Sequence, residues 1–230
     1  MYEQYSEVLL SSALFRDIAP DELQRMLDCL KPRIREYRSR EVIALCDSPF
    51  TGVGIVVAGK VAVTRETYSG SRILLAILGP GDVFGEMEAF SSSRVWPATV
   101  LAREDCAVVF LPPAKIADNC PNLCPGHSAL IMNMLNVLSC KALVLHKKME
   151  HLGARKLRGR ISSYLLDAWR QNGKVTFKLA MKRQELADYL NMPRPSLSRE
   201  MGLMRDEGII EYSGSSIRII DLPRLEKATE

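Results

Sequence analysis

Residues 181–210, MKRQELADYLNMPRPSLSREMGLMRDEGII, hold two helical patterns separated by only a few residues, so a tight turn must join them. Leu186, Leu190, Leu197, Met201 and Met204 supply apolar faces at helical spacing on either side of it. Where the helices cross, only a small side chain permits close approach, and Ala187 stands there. Soon afterwards the backbone must turn left-handed, and Asn191 is the next-best residue to glycine for that conformation. Pro193 and Pro195 mark a helix start, where a missing N–H costs little. The pattern predicts a recognition helix that begins near Pro193–Arg194 and presents Arg194, Ser196, Ser198 and Arg199 from its first two turns. In a helix-turn-helix those turns enter the major groove of duplex DNA.

The competing reading is a two-helix hairpin in an ordinary core. The following segment, EGIIEYSGSSIRIIDLP, argues against it. It reads as a strand over 209–212, a turn over 213–216 and a strand over 217–220, which together make a wing. Such a wing places Ser213, Ser215, Ser216 and Arg218 near the phosphate backbone.

A chain of 230 residues has room for two modest domains. The net charge of +4 is unevenly divided. From Ala154 onward there are 15 Lys and Arg against 10 Asp and Glu, whereas the preceding residues carry 16 against 17. The basic excess thus lies with the DNA motif, as phosphate binding requires. The N-terminus, MYEQYSEVLLSS, is polar and lacks the pattern of a secretory signal. The most apolar stretch, 130–145, is interrupted by Asn133, Asn136, Ser139 and Lys141, and is expected to fall short of a membrane span. Six irregularly spaced cysteines point to free thiols in a reducing cytoplasm.

Between Lys31 and Leu111 the pattern becomes alternating. Apolar runs recur at 42–45, 53–57, 60–64, 72–78, 98–102 and 106–111, punctuated by Gly52, Gly54, Gly59, Gly70 and Gly79-Pro80-Gly81. Short strands with Gly/Pro turns predict an antiparallel sandwich or jelly roll, preceded by a short helix over Pro20–Leu30. The stretch 79–102 is its expected ligand pocket. Gly85-Glu86-Met87 there opens a predicted helical turn whose free N–H groups suit an anion or a carbonyl.

The longest helical pattern covers 126–152. Ile131, Leu135, Leu138, Ala142, Leu145, Met149 and Leu152 step alternately by four and three, a heptad seam. A neighbouring stripe of Leu130, Met134, Val137 and Val144 is also apolar. One stripe is expected to pack on the roll and the other on a second copy. A two-fold dimer would set two recognition helices about one DNA turn apart on a palindromic site. Gly153 is the expected hinge before a helix over 154–171 with Ile161, Leu165, Leu166 and Trp169 on its core side.

Roll, long helix and winged helix in this order resemble the Crp/Fnr family of bacterial transcription regulators. The carrying residues are Gly79-x-Gly81-Asp82, Phe84-Gly85-Glu86, Ala98-Thr99-Val100 with Ala102, Gly159-Arg160-Ile161, and the reader from Arg183 to Arg199. The resemblance implies an α+β chain with three parts. These are an N-terminal antiparallel β-roll of the cyclic-nucleotide-binding kind over 1–125, a dimerisation helix over 126–152, and a winged helix-turn-helix over 153–230. It also implies a cytoplasmic homodimer, controlled allosterically, with double-stranded DNA and RNA polymerase as partners.

Members that bind cyclic AMP hold its phosphate with an Arg-Ser-Ala triplet; the matching residues here are Trp96-Pro97-Ala98, with Arg94 two positions earlier. A Thr-Ser pair that binds adenine is matched by Leu145 and His146. Losing the charge partner of the phosphate removes the strong bonds, so cyclic AMP is not expected as the effector. Phe84, Gly85, Glu86, Met87, Trp96, Pro97, Ala98 and Leu145 are the expected effector residues, and their character is apolar.

Iron–sulfur members carry N-terminal cysteines, but the first here is Cys29. Cys120, Cys124 and His127 match no common metal site, so no metal is expected. Haem stays open, with His127, His146, His151, the methionines and the cysteines as axial candidates and none singled out. The family's glutamate that reads cytosine is replaced by Pro195. Base contacts are therefore assigned to Arg194, Ser198 and Arg199, and phosphate contacts to Lys182, Arg183, Ser196 and Ser216. All three histidines lie at or beyond residue 127, outside the roll. A cupin-like metalloenzyme is thereby disfavoured, and a binding module without DNA function is the remaining alternative.

Overall fold

The computed structural model describes residues 2–66, 72–117 and 125–229. The chain divides into two compact units, Met1–Cys140 and Lys141–Glu230.

In the first unit, α1 (Ser6–Ser11) and α2 (Pro20–Leu30) lead into strand β1 (Arg33–Tyr37). Pro20 opens α2 with Asp21 and Glu22 in its first turn, where acidic side chains meet free backbone N–H groups. Strands β2 (Val42–Ala44), β3 (Val53–Ala58), β4 (Val61–Glu66), β5 (Arg72–Leu78), β6 (Val83–Phe84), β7 (Thr99–Ala102) and β8 (Cys106–Leu111) follow. They form two antiparallel sheets, ordered β1-β8-β3-β6 and β2-β7-β4-β5.

Strands β3 and β8 explain why their sequences are apolar throughout rather than alternating. In register Ile55 opposes Val109, and Val56 opposes Val108. Successive side chains on a strand point to opposite faces. Val53, Ile55, Val57, Val109 and Leu111 therefore join Leu14, Phe15, Leu23 and Met26 in a core beneath the helices. Val56, Val108 and Phe110 join Val61, Trp96 and Val100 in a second core between the sheets. Both faces of the central pair are buried.

The strands expected at 72–78 and 106–111 match residue for residue, and the other four shift by one or two residues at their ends. Two strands of the roll were not legible. β1, RIREY, is an edge strand with little apolar content, and β6 is only two residues long. The expected helical turn at 85–87 is a single turn closed by Ala89 N–H donating to Gly85 O at 3.2 Å. Gly70 and the pair Cys120 and Cys124 lie outside the described residues. Cys46, Cys106 and Cys140 are free thiols, and burial pushes the Cys106 thiol up.

Helix α3 (Pro113–Ala117) precedes α4 (Pro125–Gly153), which continues from the first unit into the second. Along α4, Leu130 and Met134 are buried in the helical core, with Val137 and Leu138 packed at its edge. Asn133 donates to Leu14 O at 3.1 Å and to Arg16 O at 2.8 Å. By length and composition α4 is apolar enough to cross a bilayer, contrary to the expectation from its polar interruptions. Asn133, Asn136 and Ser139 are uncharged, so they do not lower its apolarity enough. Its N-terminal half is nevertheless part of the first unit's core, which is not how a lipid-facing helix is used.

In the second unit α5 (Leu157–Asn172), β9 (Thr176–Lys178), α6 (Arg183–Tyr189), α7 (Arg194–Asp206), β10 (Ile210–Ser213), β11 (Ser216–Ile219) and α8 (Leu222–Lys227) enclose one core. Gly153, the expected hinge, lies at the end of α4 rather than after it. A Cβ there would meet open space, so nothing local demands glycine. The break falls over 154–156, and α5 begins three residues later than expected.

Arg158 on α5 pins the back of α7, through Glu200 at 2.5 Å and both carboxylate oxygens of Glu207 at 2.8 Å. Hydrogen bonding from Arg158 holds the Glu207 carboxyl below the usual range. A depressed carboxyl stabilises the fold at neutral pH and ceases to do so as pH falls through its folded-state value. Arg158→Ala is expected to lower the melting temperature by about 5 °C at neutral pH. Melts repeated down to about pH 3 should show the gap between wild type and variant narrowing, since acid removes from wild type the contribution that the variant already lacks.

Candidate DNA interface and effector site

Helices α6 and α7 meet as the spacing required. Ala187, Leu186, Leu190, Leu197, Met201 and Met204 are all fully buried. Asn191 sits at φ +50, in the left-handed region, and Met192 N–H donates back to Ala187 O at 3.0 Å. Pro193 is the N-cap of α7, so the recognition helix begins at Arg194.

Arg194, Ser198 and Arg199 are exposed on the first two turns of α7. Arg194 and Ser198 stand one turn apart and share a face, which Arg199 flanks. Neither guanidinium has an acidic partner among the described residues. Lys182 is exposed at the N-cap of α6, while Ser196 and Ser216 are half-buried. Arg183 does not present itself as a free phosphate contact. Its Nη1 lies against Met201 Sδ, and its guanidinium stacks 4.8 Å over the Tyr212 ring. Burial lowers its pKa. This arginine ties the start of α6 to the recognition helix and the wing. Arg218 pairs with Glu211 across the wing at 3.5 Å.

The wing has three strands, ordered β10-β11-β9, rather than two. The alternation Val175-x-Phe177-x-Leu179 was the available signal for β9, with Phe177 and Leu179 buried. The turn is the two residues Gly214–Ser215, shorter than expected, with Gly214 at φ +58 as tight hairpins favour.

The expected effector residues divide between the interior and the surface. Phe84 and Trp96 are buried in the core between the sheets, and Ala98 is buried as well. Trp96 packs 4.7 Å from the Phe50 ring and 5.9 Å from that of Phe84, which in turn meets Phe110 edge-on at 6.0 Å. The backbone gives way to these rings. Gly54 lies where any Cβ would strike the Phe84 ring, and a Cβ on Gly85 would lie 2.9 Å from Trp96. Glu86 is buried, whereas Met87 and Pro97 are exposed. Leu145 is exposed and belongs to the second unit. Arg94, two residues before Trp96, is exposed at φ +48.

Open space lies instead beside the roll. An apolar cavity of about 260 Å³ is lined by Phe90, Ile116, Ala117, Ile131, Met134, Leu135 and Leu138. A neighbour of about 420 Å³ shares Phe90 and Ala117 and adds Phe50, Ser91 and Arg94. Among the described residues no group of His, Cys, Asp and Glu is placed to hold a metal. The histidines differ in availability. His127 is buried, His146 is exposed beside Glu150 at 3.4 Å, and both ring nitrogens of His151 are engaged.

Residues 34–120 match the family model of the cyclic nucleotide-binding domain, and residues 159–228 match that of the Crp-like helix-turn-helix domain. The chain belongs to the Crp/Fnr family of transcription regulators. Similar proteins include the probable transcriptional regulator flp of Lacticaseibacillus casei, 26% identical over 93% of this chain and 94% of the relative. The cyclic AMP receptor protein of Thermus thermophilus is 24% identical over 94% and 96% respectively. The solved catabolite activator protein of Thermus thermophilus shares the fold, with a TM-score of 0.56 at 24% identity, covering 95% of this chain and 98% of that one. This Crp/Fnr chain is thus a DNA-binding transcription regulator with a sensor unit of the cyclic-nucleotide-binding kind.

The left-handed turn between the reader helices gives a direct test. Asn191→Gly is expected to keep full thermal stability, whereas Asn191→Ala should cost about 1 kcal/mol by denaturant titration.

Proposed function

We propose that this regulator works as a cytoplasmic homodimer on a palindromic operator and is switched by a small effector other than cyclic AMP. The dimer reading is supported by the exposed stripe on α4. Ile131, Leu135, Ala142, Leu145 and Met149 face away from their own units' cores, and Leu138 lies at the edge of one. A second copy of the helix would cover them at heptad spacing. The expected parts are 1–125 for sensing, 126–152 for pairing and 153–230 for reading DNA.

The observation that carries the DNA assignment is the pair of unpartnered guanidinium groups of Arg194 and Arg199 on an exposed recognition helix. Arginine bidentate to guanine is the commonest specific contact in the major groove. Ser198 adds a base or phosphate contact, while Lys182, Ser196 and Ser216 set the register along the backbone. Arg183 acts from behind, by holding α6 against α7. RNA polymerase is the proposed protein partner at promoters. The chain's chemistry is recognition rather than turnover.

The effector reading follows from Trp96. The position matching the phosphate-binding arginine holds a buried indole, so the roll offers no cation there. Effector binding near the turn at 85–90 is proposed to repack that turn and so shift the pairing of α4. The ligand must prefer the DNA-competent state by as much free energy as the shift requires.

Arg199→Ala is expected to cost roughly 1–3 kcal/mol for an operator selected from a random library and to relax one base position. Unchanged affinity and preference would remove that residue from the readout. Leu135→Glu, at an exposed site, should leave the chain folded but sediment as a monomer; a persisting dimer would rule out this seam. Calorimetric titration with cyclic AMP is expected to give no binding heat, and saturable binding that raises operator affinity would overturn the effector reading.

A further inference from the structure

His151 lies on the last turn of α4, and its ring is buried where three helices of the second unit meet. Nε2 is 3.1 Å from Asp167 Oδ2 on α5. Nδ1 is 3.1 Å from the hydroxyl of Tyr189, the last residue of α6. The rings of Tyr164 and Tyr189 close around the imidazole at 5.6 and 5.8 Å, and they stand 5.7 Å from each other. Lys148 Nζ lies over the outer face of Tyr189 at 5.4 Å. Arg170 approaches the other oxygen of Asp167 at 3.7 Å.

The chemistry of the three groups sets the direction of the bonds. An ionised Asp167 only accepts, so Nε2 must carry the proton and donate to it. In the singly protonated ring the lone pair lies on Nδ1, and the Tyr189 hydroxyl donates there. The result is a chain running Tyr189 to His151 to Asp167, each link with one donor and one acceptor. A buried imidazole satisfied at both ends fixes its own orientation and that of both partners.

Tyr189 is followed directly by Leu190 and the left-handed Asn191, the turn from which the recognition helix departs. The tyrosine hydroxyl therefore links the end of the long helix to the geometry of the reader. Resting on the DNA-reading assignment above, we propose that His151 is a positioning residue for DNA recognition. Its imidazole clamps Asp167 on α5 and Tyr189 on α6 and so holds α6, and through the Asn191 turn α7, in the pose that the operator selects. Contacts with bases stay with α7; the clamp acts on where those contacts point.

The test uses the full chain and an operator duplex selected by wild type from a random library. Tyr189→Phe removes only the hydroxyl, His151→Phe removes both bonds, and His151→Gln keeps a donor toward Asp167. The first two are expected to weaken binding of the selected duplex roughly five- to tenfold while leaving binding of a scrambled duplex unchanged. His151→Gln should recover part of the loss. Nitrogen-15 NMR of the wild-type histidine should show the tautomer protonated at Nε2, with the Nδ1 signal moving in Tyr189→Phe. Unchanged operator affinity in a folded Tyr189→Phe chain would overturn the clamp. So would equal losses for selected and scrambled duplexes, since general destabilisation would produce that. If wild type selects no duplex, the DNA-reading assignment itself fails, and that outcome is distinct from selection with an unaffected Tyr189→Phe.

Discussion

Helix α4 carries more apolar surface than its own chain covers, and the proposed organisation of the protein depends on that excess. Leu130 and Met134 are buried and Asn133 bonds to the backbone of the first unit, so the early turns are spoken for. Leu135, Leu145 and Met149, on the heptad stripe, are each more than half exposed. Burying a side chain of this kind is worth about 1.5–3 kcal/mol when it passes from full exposure to full burial. Three of them, only partly covered, represent a few kcal/mol in each copy, a sizeable share of the stability of an ordinary domain. A second copy presenting the same stripe is the partner with the right length, spacing and chemistry. Assembly and folding would then be coupled, with stability rising with protein concentration.

The reader obeys the opposite rule, since it must keep its functional surface uncovered. Everything on the inner side of α7 is committed: Leu197, Met201 and Met204 to the core, Glu200 and Glu207 to Arg158. Arg183 is spent on Tyr212 and Met201. What remains free at the front of the helix is Arg194, Ser198 and Arg199. Glu200 is paired from behind by Arg158, and Glu207 by Arg158 and Arg224. The front of α7 is left with guanidinium groups, which a polyanion requires.

Legibility followed how local the determining physics was. The reader was legible to the residue because a small crossing residue, a left-handed turn and a proline start must occur in fixed order, and Ala187, Asn191 and Pro193 satisfy it. Strands β3 and β8 were legible because burial on both faces leaves unbroken apolar runs. β1 was not, because an edge strand needs few apolar residues and RIREY shows few. Gly153 marked the end of α4 to within one residue, although a Cβ there would meet nothing. Arg183 was misassigned because exposure cannot be read from residue type. An arginine at a helix start fits a phosphate contact until Tyr212, far along the chain, is found beneath it. The effector residues failed for a related reason. Phe84 and Trp96 were rightly grouped as apolar neighbours, but whether such neighbours line a space or fill it depends on packing that no short motif encodes.

That distinction bears on how this sensor can be switched. A roll built around a buried guanidinium is incomplete without an anion, since an unpaired buried charge costs several kcal/mol. Ligand binding then repairs a defect. Here Phe50, Trp96 and Phe84 pack on one another, and Gly54 and Gly85 make room for them. A ligand entering that interior would have to displace aromatic contacts worth about 0.5–1.5 kcal/mol per pair beyond their area, with no charge to repay it. The apolar space that is already open lies beside the roll, under Phe90 and against Ile131, Leu135 and Leu138 of α4. An apolar molecule there would lie on Ile131, Leu135 and Leu138 themselves, residues of the stripe proposed to pair. Ligand and second copy would then compete for one face of α4.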